Sequence, residues 1–216
     1  MKKLILYDLD GTLVDTRRDI INSVRYALNE LNGPQVTDDE IKDCVGSGLH
    51  ALIRKVFRTQ DEKLADKGSK LYRTHYIDHM LDYSVLYPEA KDVLEYFKDR
   101  KQAVVTNKPS PFSQQILEGL GISEYFIDVL TGDNGIPHKP DPGAIFHLME
   151  RTVASKEEVL FVGDSLVDIE TARNAGVEEV VIAQGFNTEE TLVAAKPSYL
   201  VKNCGELLQL IKEKKW

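Results

Sequence analysis

Short apolar runs, separated by amphipathic stretches, define the secondary structure that this chain is expected to form. The run Leu4-Ile5-Leu6-Tyr7 has no helical spacing and is closed by Asp8, Asp10 and Gly11. Such a run is typical of a buried parallel strand that delivers its last residues to a loop. We therefore expect residues 4–7 to form a strand, with both acids in the loop that follows it.

From Pro88 onward, apolar runs alternate with amphipathic segments. The pattern predicts strands over residues 103–106, 128–131, 159–162 and 180–182, and a weaker strand over 199–201. It predicts helices over residues 89–99, 112–120, 142–151 and 166–175, and a final helix from Glu206. Strands that alternate with helices in this way form a parallel sheet with helices on both faces. The predicted fold class is therefore α/β, a doubly wound, Rossmann-like parallel sheet.

Residues 16–83 follow a different, purely helical pattern. Thr16-x-x-Asp19 resembles a capping box and precedes an apolar stripe of helical spacing, and Thr37-x-x-Glu40 caps a shorter helix. Two glycines in the segment 46–48 form a flexible joint, and a long polar helix is predicted over residues 62–81.

This helical stretch of about 70 residues is longer than a crossover between two strands needs. It predicts a separate α-helical cap domain over residues 16–83, inserted into a catalytic core formed by residues 1–15 and 84–216. Tyr72, Tyr76 and Tyr83 have helical spacing and are interpreted as packing residues of the cap, or as a dimer face, rather than as substrate contacts.

Composition narrows the classes of function. The chain has 216 residues and a formal net charge of -8, with a pI near 5.2. Surfaces that bind nucleic-acid phosphates or anionic membranes are normally basic, so we expect neither partner. The apolar run after Lys3 is too short for a signal peptide and no segment is long enough to span a membrane, so the expected location is the cytoplasm. Whether the protein is a monomer or a homodimer is left open.

Asp8 and Asp10 are the first candidates for chemistry. Side chains alternate along an extended chain, so the two carboxylates share one face. Two like charges about 4 Å apart repel each other by about 4 kcal/mol at a protein-like dielectric, so the pair either shares a proton or binds a cation. Considered alone, the pair is explained equally well by an Asp-Gly turn in which Asp10 is the Asx residue.

Polar residues also follow the other predicted strands. Thr106 and Asn107 follow one strand, Asp164 follows another, and Asp168 lies four residues further on. The carboxyl ends of parallel strands meet at one edge, where open α/β sheets bind ligands. Thr106 and the backbone N–H groups after it can hold a phosphate. Lys139, in a loop between these strands, can face an anionic substrate, and the clustered carboxylates favour an oxygen-preferring divalent cation, most simply Mg²⁺.

Four segments, taken together and in order, resemble the motifs of the haloacid dehalogenase-like (HAD) superfamily of phosphotransferases. They are residues 8–15 (DLDGTLVD), 106–107 (TN), 139–142 (KPDP) and 163–168 (GDSLVD). The helical insertion is similar to the cap of the first subclass of this superfamily. Within that subclass, residues 45–49 (VGSGL) and 87–88 (YP) resemble phosphoglycolate phosphatases and their close relatives.

The resemblance implies roles for these residues. Asp8 is implied as the nucleophile that becomes an aspartyl phosphate, and Asp10 as the general acid and base. Mg²⁺ is implied at Asp8, the backbone carbonyl of Asp10 and Asp164, with Asp168 orienting these ligands. The other implied roles are phosphoryl binding by Thr106 and the Asn107 amide, charge balance by Lys139, and shaping of the substrate loop by Gly11 and Thr12.

The implied activity is Mg²⁺-dependent hydrolysis of a small phosphorylated metabolite, with phosphoglycolate as the best candidate. Gly46, Ser47, Gly48 and Arg54 are the cap residues expected near the leaving group, and Arg54 is a candidate clamp for a carboxylate. Pyrophosphatase and sugar or nucleotide phosphatase activities stay open. Asp10 disfavours a dehalogenase, because a halide needs no proton. The segment 20–22 (IIN) stands where β-phosphoglucomutase-like mutases carry a cap histidine, which disfavours a mutase.

Two hypotheses come from other functional classes. A phospho-accepting regulator of the receiver type also groups acids around Mg²⁺ on a doubly wound sheet, but receivers carry neither a long cap nor an acid two residues after the acceptor. A non-catalytic binding module descended from the enzyme is the other alternative, although no motif residue is missing from this chain.

Overall fold

The strands of the protein belong to two sheets of different size. The computed structural model describes all 216 residues. Its strands are β1 (Leu4–Tyr7), β2 (Val14–Asp15), β3 (Val85–Leu86), β4 (Lys101–Val105), β5 (Asp128–Leu130), β6 (Val159–Gly163), β7 (Glu178–Ile182) and β8 (Tyr199–Val201). Six of them form one sheet in the order β5-β4-β1-β6-β7-β8, and every pairing in it is parallel. The predicted α/β fold class is confirmed.

Ten α-helices connect the strands or follow them along the chain. They are α1 (Arg17–Glu30), α2 (Asp38–Lys42), α3 (Leu49–Val56), α4 (Glu62–His79), α5 (Ala90–Tyr96), α6 (Phe112–Gly119), α7 (Gly143–Thr152), α8 (Leu166–Ala175), α9 (Glu189–Ala195) and α10 (Cys204–Lys214). None of the helices combines the length and the hydrophobicity that crossing a membrane requires.

Strand β1 lies in the middle of the large sheet and is completely buried. Ile5 and Tyr7 point into a hydrophobic cluster of 37 residues on one face, and Leu4 and Leu6 point into a cluster of 13 residues on the other. Both faces of this strand are therefore covered, which explains why its sequence is continuously apolar instead of alternating.

The register of the central strands brings three chain segments to one edge. Tyr7 of β1 lies opposite Val104 of β4 and Val162 of β6. Because all three strands run in the same direction, the residues that follow them leave the sheet side by side. These residues include Asp8, Thr106 and Asp164.

Helices α1 to α4 are inserted between β2 and β3, which pair as a small antiparallel sheet. Val14 lies opposite Leu86 and Asp15 opposite Val85 at the point where the chain leaves the core and returns to it. Two-residue strands carry no detectable periodicity, and the sequence did not predict them. The 37-residue cluster continues from the sheet into the insertion, through residues such as Val24 and Leu52.

Helix α9 is not predicted by the sequence pattern. Leu192 is its single buried residue, so the helix has no apolar stripe for the sequence pattern to reveal. Thr188 marks its start, because the side-chain oxygen accepts a hydrogen bond from the backbone N–H of Thr191.

The capping box predicted at Thr16 and Asp19 does not form. The Thr16 hydroxyl donates to Oδ1 of Asp10 (2.6 Å) instead of capping α1. Oδ2 of the buried Asp19 accepts hydrogen bonds from Tyr83 N (3.1 Å), Ser84 N (2.8 Å) and Ser84 Oγ (2.7 Å). Both side chains therefore bind groups outside α1 instead of capping this helix. Asp19 connects the start of α1 to the end of the insertion by hydrogen bonds.

We expect Asp19→Ala to lower the free energy of unfolding by about 3 kcal/mol, because it leaves buried backbone and hydroxyl donors without their charged acceptor. Urea denaturation measures this value. Asp99→Ala, at an exposed aspartate without hydrogen bonds, is the matched control and should change stability by less than about 0.5 kcal/mol. Equal effects of the two substitutions would contradict the role assigned to Asp19.

Candidate active site

Asp8 lies in a pocket between the edge of the sheet and the helical insertion. The backbone N–H of Asp8 extends the pairing of β1 by donating to the carbonyl of Val162 (2.9 Å). Asp8, Asp10, Thr106 and Asp164 all line this pocket. Carboxylate and hydroxyl groups that are far apart in the sequence are therefore gathered at the carboxyl ends of three neighbouring strands.

Lys139 lies between two of the carboxylates. Its Nζ is 2.9 Å from Oδ1 of Asp8 and 2.7 Å from Oδ1 of Asp168. The ammonium donates a hydrogen bond to Asp168 and forms an ion pair with Oδ1 of Asp8, which has no other donor in the protein. The sequence predicts that Lys139 faces the substrate, but its ammonium faces Asp8 and is buried beneath the pocket.

Asp168 is held by the first turn of α8. Its Oδ2 accepts hydrogen bonds from Ser165 Oγ (2.6 Å), Ser165 N (3.0 Å) and Asp164 N (3.2 Å). Because both of its oxygens are engaged, Asp168 is well placed to fix Lys139 and the loop that carries Asp164.

Asp164 is fixed by two partners. The Thr12 hydroxyl donates to Oδ1 (3.0 Å), and the backbone N–H of Phe186 donates to Oδ2 (2.8 Å). Gly11 has φ +86°, and a Cβ there would lie 2.4 Å from Asp164 Oδ2. A Cβ on Gly185 would lie 1.9 Å from the same oxygen. Gly11 and Thr12, which are expected to shape the substrate loop, do not line the pocket. In this structure they support Asp164.

Burial and mutual repulsion disturb the protonation of these acids. Burial is the main reason why the pKa of Asp8 rises from 3.8 to about 6, and Asp168 and Asp10 add to it while Lys139 opposes it. Burial also raises the pKa of Asp164, helped by Asp168 and Asp8. Burial alone would lower the pKa of Lys139, but Asp168 and Asp8 outweigh it and the net shift is upward. The cluster therefore carries more negative charge than Lys139 balances.

The same cluster has the composition of a site for a hard divalent cation. Carboxylate oxygens of Asp8, Asp164 and Asp168 lie within 4.8 Å of one another. Divalent cations such as Mg²⁺ prefer oxygen ligands, and Asp8 keeps a second oxygen, Oδ2, that accepts no hydrogen bond from the protein. The donor set and the excess negative charge both fit such an ion.

Asp10 is held by two donors that the sequence pattern did not reveal as its partners. Its Oδ1 accepts from the Thr16 hydroxyl (2.6 Å) and from Nζ of Lys108 (2.8 Å). Lys108 also donates to the hydroxyl of Tyr76 on α4 (2.8 Å). Tyr72, four residues earlier, lines the pocket. Two features of the sequence could have indicated this contact: Lys108 comes just after a predicted strand, and the two tyrosines are spaced so that they share one helix face.

The side chains that follow β4 are largely committed to the protein itself. The Asn107 side-chain amide donates to the carbonyls of Gly46 (2.9 Å) and Lys139 (3.0 Å), and its oxygen accepts from Lys139 N (2.8 Å). Because both of its N–H donors are engaged, the side-chain amide is not free to hold a phosphate. The predicted phosphoryl contact of the Asn107 amide is therefore left to the backbone N–H. The backbone N–H groups of Leu9, Asp10 and Asn107 make no hydrogen bond within the protein and remain available as donors.

The predicted contacts of the helical insertion are met in part. Gly46 and Gly48 line the pocket, but Ser47 does not, and its hydroxyl contacts Lys55 Nζ (3.3 Å). Arg54 pairs with Glu62 (3.1 Å) and lines a separate surface groove. The structure therefore does not bring Arg54 to the position expected for a clamp on a substrate carboxylate, because its guanidinium lies outside the pocket beside the acidic first turn of α4.

Known proteins resemble this chain over nearly its whole length. The family model described as "Haloacid dehalogenase-like hydrolase" matches residues 5–182. A phosphoglycolate phosphatase from Vibrio parahaemolyticus is 37% identical over 218 aligned positions, covering 97% of this chain and 96% of the relative. The crystal structure of a predicted phosphoglycolate phosphatase from Haemophilus somnus 129PT superposes with a TM-score of 0.90 at 31% identity and covers 97% of both chains.

The raised pKa of Asp8 predicts how stability depends on pH when divalent cations are removed. Between pH 3.8 and about 6 the folded protein holds a proton on Asp8 that the unfolded chain has lost, so this group makes the folded state less stable as pH rises. Asp8→Asn removes the effect, and in EDTA the variant should be up to about 3 kcal/mol more stable than wild type at pH 7.5.

Urea denaturation of both proteins at several pH values measures this difference in the free energy of unfolding. The difference should shrink toward zero below pH 4, because Asp8 is then protonated in both states. A difference that does not vary with pH would contradict the raised pKa.

Proposed function

Because the chain belongs to the haloacid dehalogenase-like hydrolases, we propose that it is a Mg²⁺-dependent phosphomonoester hydrolase that works through an aspartyl phosphate on Asp8. The observation that carries this proposal is the state of the Asp8 carboxylate. It lines the pocket, Nζ of Lys139 contacts its Oδ1 from below, and its Oδ2 accepts no hydrogen bond from the protein. A carboxylate in this condition keeps a lone pair free for attack on phosphorus.

In the first step an Asp8 oxygen forms a bond to phosphorus as the bond to the leaving oxygen breaks. Asp10 gives its proton to that oxygen, so the product leaves as an alcohol. In the second step Asp10 takes a proton from water, which attacks the same phosphorus and releases inorganic phosphate and free Asp8. The hydroxyl of Thr16 and the ammonium of Lys108 fix the orientation of Asp10 for both transfers.

Backbone donors support the binding of the phosphoryl oxygens. The N–H groups of Leu9, Asp10 and Asn107 are unengaged around the pocket residue Asp8. Thr106 also lines the pocket and adds a hydroxyl group. Neutral donors of this kind stabilise the negative charge of the phosphoryl oxygens without forming an ion pair with them.

Asp8, Asp164 and the backbone carbonyl of Asp10 would hold Mg²⁺, which when bound offsets the repulsion between an anionic nucleophile and an anionic phosphate. Thr12, Phe186 and Asp168 keep the Asp164 carboxylate and its loop in place for this purpose. Asp168 itself is engaged by Lys139 and Ser165, so it acts on the site by holding these groups.

Residues 16–83 act in this proposal as the cap that covers the pocket. Leu49, Leu52 and Tyr72 of the insertion line one side of it, opposite the acids at the sheet edge. Apolar walls on this side exclude water from the leaving group and favour a small one. The relatives named phosphoglycolate phosphatase support phosphoglycolate as the best candidate substrate.

We expect Asp8→Asn to abolish phosphate release from p-nitrophenyl phosphate, because the variant has no carboxylate nucleophile. Wild-type activity should disappear in EDTA and return with Mg²⁺. Asp92→Asn, an exposed substitution on α5, is the matched control and should retain activity. Turnover without Mg²⁺, or turnover by Asp8→Asn, would rule out the mechanism. A panel of phosphoglycolate, pyrophosphate, nucleoside monophosphates and sugar phosphates then identifies the substrate.

We expect Asp10→Asn to slow the first step for substrates with an alkoxide leaving group, and to slow mainly the second step for p-nitrophenyl phosphate. A p-nitrophenolate leaves without a proton, whereas an alkoxide needs one, so turnover of phosphoglycolate should fall by roughly 10² to 10⁴. With p-nitrophenyl phosphate, stopped-flow absorbance should show a burst of about one equivalent and then slow turnover, since the aspartyl phosphate lacks its base. Equal slowing of both substrates without a burst would argue against Asp10 as acid and base.

A further inference from the structure

Lys108 is the one cationic side chain that lines the pocket. The pocket also contains the acids Asp8, Asp10 and Asp164, but no arginine, no histidine and no second lysine. Lys139 is buried below it, held by Asp8 and Asp168. Any anionic group of a substrate other than its phosphate therefore has a single positively charged partner available within the pocket.

The remaining walls on the leaving-group side are uncharged and mostly apolar. They are formed by Ile20, Leu49, Leu52, Tyr72 and Phe112, none of which carries a charge, and the Tyr72 hydroxyl is the one polar group among these side chains. The basic residues of α3 point elsewhere: Arg54 pairs with Glu62, and His50 lies near Glu62 and Asp66 on the surface. An anionic leaving group enclosed by these walls would be desolvated, and it needs a paired cation to be bound.

Lys108 has one donor left for such a partner. A lysine ammonium carries three N–H groups. One donates to Oδ1 of Asp10 and one to the hydroxyl of Tyr76, both at 2.8 Å, and no third acceptor is present within the protein. The side chain of Lys108 is only 5% exposed. Its ammonium is therefore a fixed charge inside the pocket rather than a mobile surface group.

The position of Lys108 defines how far an anion must lie from the reacting bond. Asp10 must reach the leaving oxygen in order to protonate it, and Nζ of Lys108 is 2.8 Å from Oδ1 of Asp10. The ammonium thus lies one hydrogen bond away from the group that contacts the leaving oxygen. A carboxylate separated from that oxygen by a single carbon falls within this range, whereas a more distant anion would extend past it into the apolar walls.

We infer that Lys108 binds the carboxylate of the leaving group and makes the enzyme selective for phosphate esters of 2-hydroxy acids. This inference rests on the proposed hydrolysis at Asp8, and it assigns to a core residue the recognition that Arg54 was expected to provide. A neutral leaving group of the same length offers no negative charge to the Lys108 ammonium. A bulky sugar or nucleoside would collide with the walls of the pocket.

The test compares two substrates of equal length, phosphoglycolate and 2-hydroxyethyl phosphate, in which CH₂OH replaces the carboxylate. Wild type should prefer phosphoglycolate in kcat/KM. Lys108→Met should reduce this preference by roughly ten- to a hundredfold, mainly through the KM of phosphoglycolate, because a charge-assisted contact is lost. Lys108→Arg keeps the charge and should retain most of the preference. Tyr76→Phe removes one partner of Lys108 but keeps the ammonium, and it should also retain most of the preference.

The ratio of the two substrates separates recognition from catalysis. If Lys108→Met slows both substrates by the same factor, Lys108 acts only through Asp10, and the inference is wrong while the proposed function stands. A wild type without preference for phosphoglycolate also overturns the inference, even if Lys108→Met proves unstable in thermal unfolding. If wild type releases no phosphate from either ester or from p-nitrophenyl phosphate, the proposed function fails and the inference fails with it.

Discussion

The burial of several carboxylates around one lysine is the constraint on which the rest of this structure depends. Parallel strands deliver Asp8 and Asp164 to neighbouring positions, and α8 adds Asp168, so that three acids lie within 4.8 Å of one another. Buried charges of one sign are strongly destabilising unless they are paired, protonated or bound to a cation. Lys139 neutralises part of this charge, and the fold satisfies most of the remaining oxygens with hydrogen bonds.

Much of the surrounding architecture follows from this requirement. The Thr12 hydroxyl and the Phe186 N–H hold Asp164, while Ser165 and the start of α8 hold Asp168. Gly11 and Gly185 leave the space that the Asp164 carboxylate occupies. Asp8 differs from the other two acids, because its Oδ1 contacts only Lys139 and its Oδ2 accepts no hydrogen bond from the protein. The least engaged carboxylate of the cluster therefore belongs to the residue proposed to react.

The parts that could be predicted from sequence are those in which pattern and physics act locally. The buried run before Asp8, the alternation after Pro88 and the polar residues at strand ends were sufficient for the α/β class and for the set of acids at one edge. Partners determined by tertiary contact were not predictable in this way. Arg54 pairs with Glu62 instead of lining the pocket, the Asn107 side chain binds two backbone carbonyls, and Thr16 binds Asp10 instead of capping α1. The β2–β3 pair and α9 were missed because neither has a periodic pattern of buried residues.

Asn107 connects two parts of the proposed machinery that have no sequence proximity. Through one side chain, it joins the carbonyl of Gly46 in the insertion to the backbone of Lys139 beneath Asp8. Moving the insertion away would break the bond to Gly46, at a net cost of about 1 kcal/mol. The two bonds from Asn107 to the Lys139 backbone do not depend on the insertion, so the same side chain that positions the charge-balancing lysine also marks where the insertion is fastened to the core.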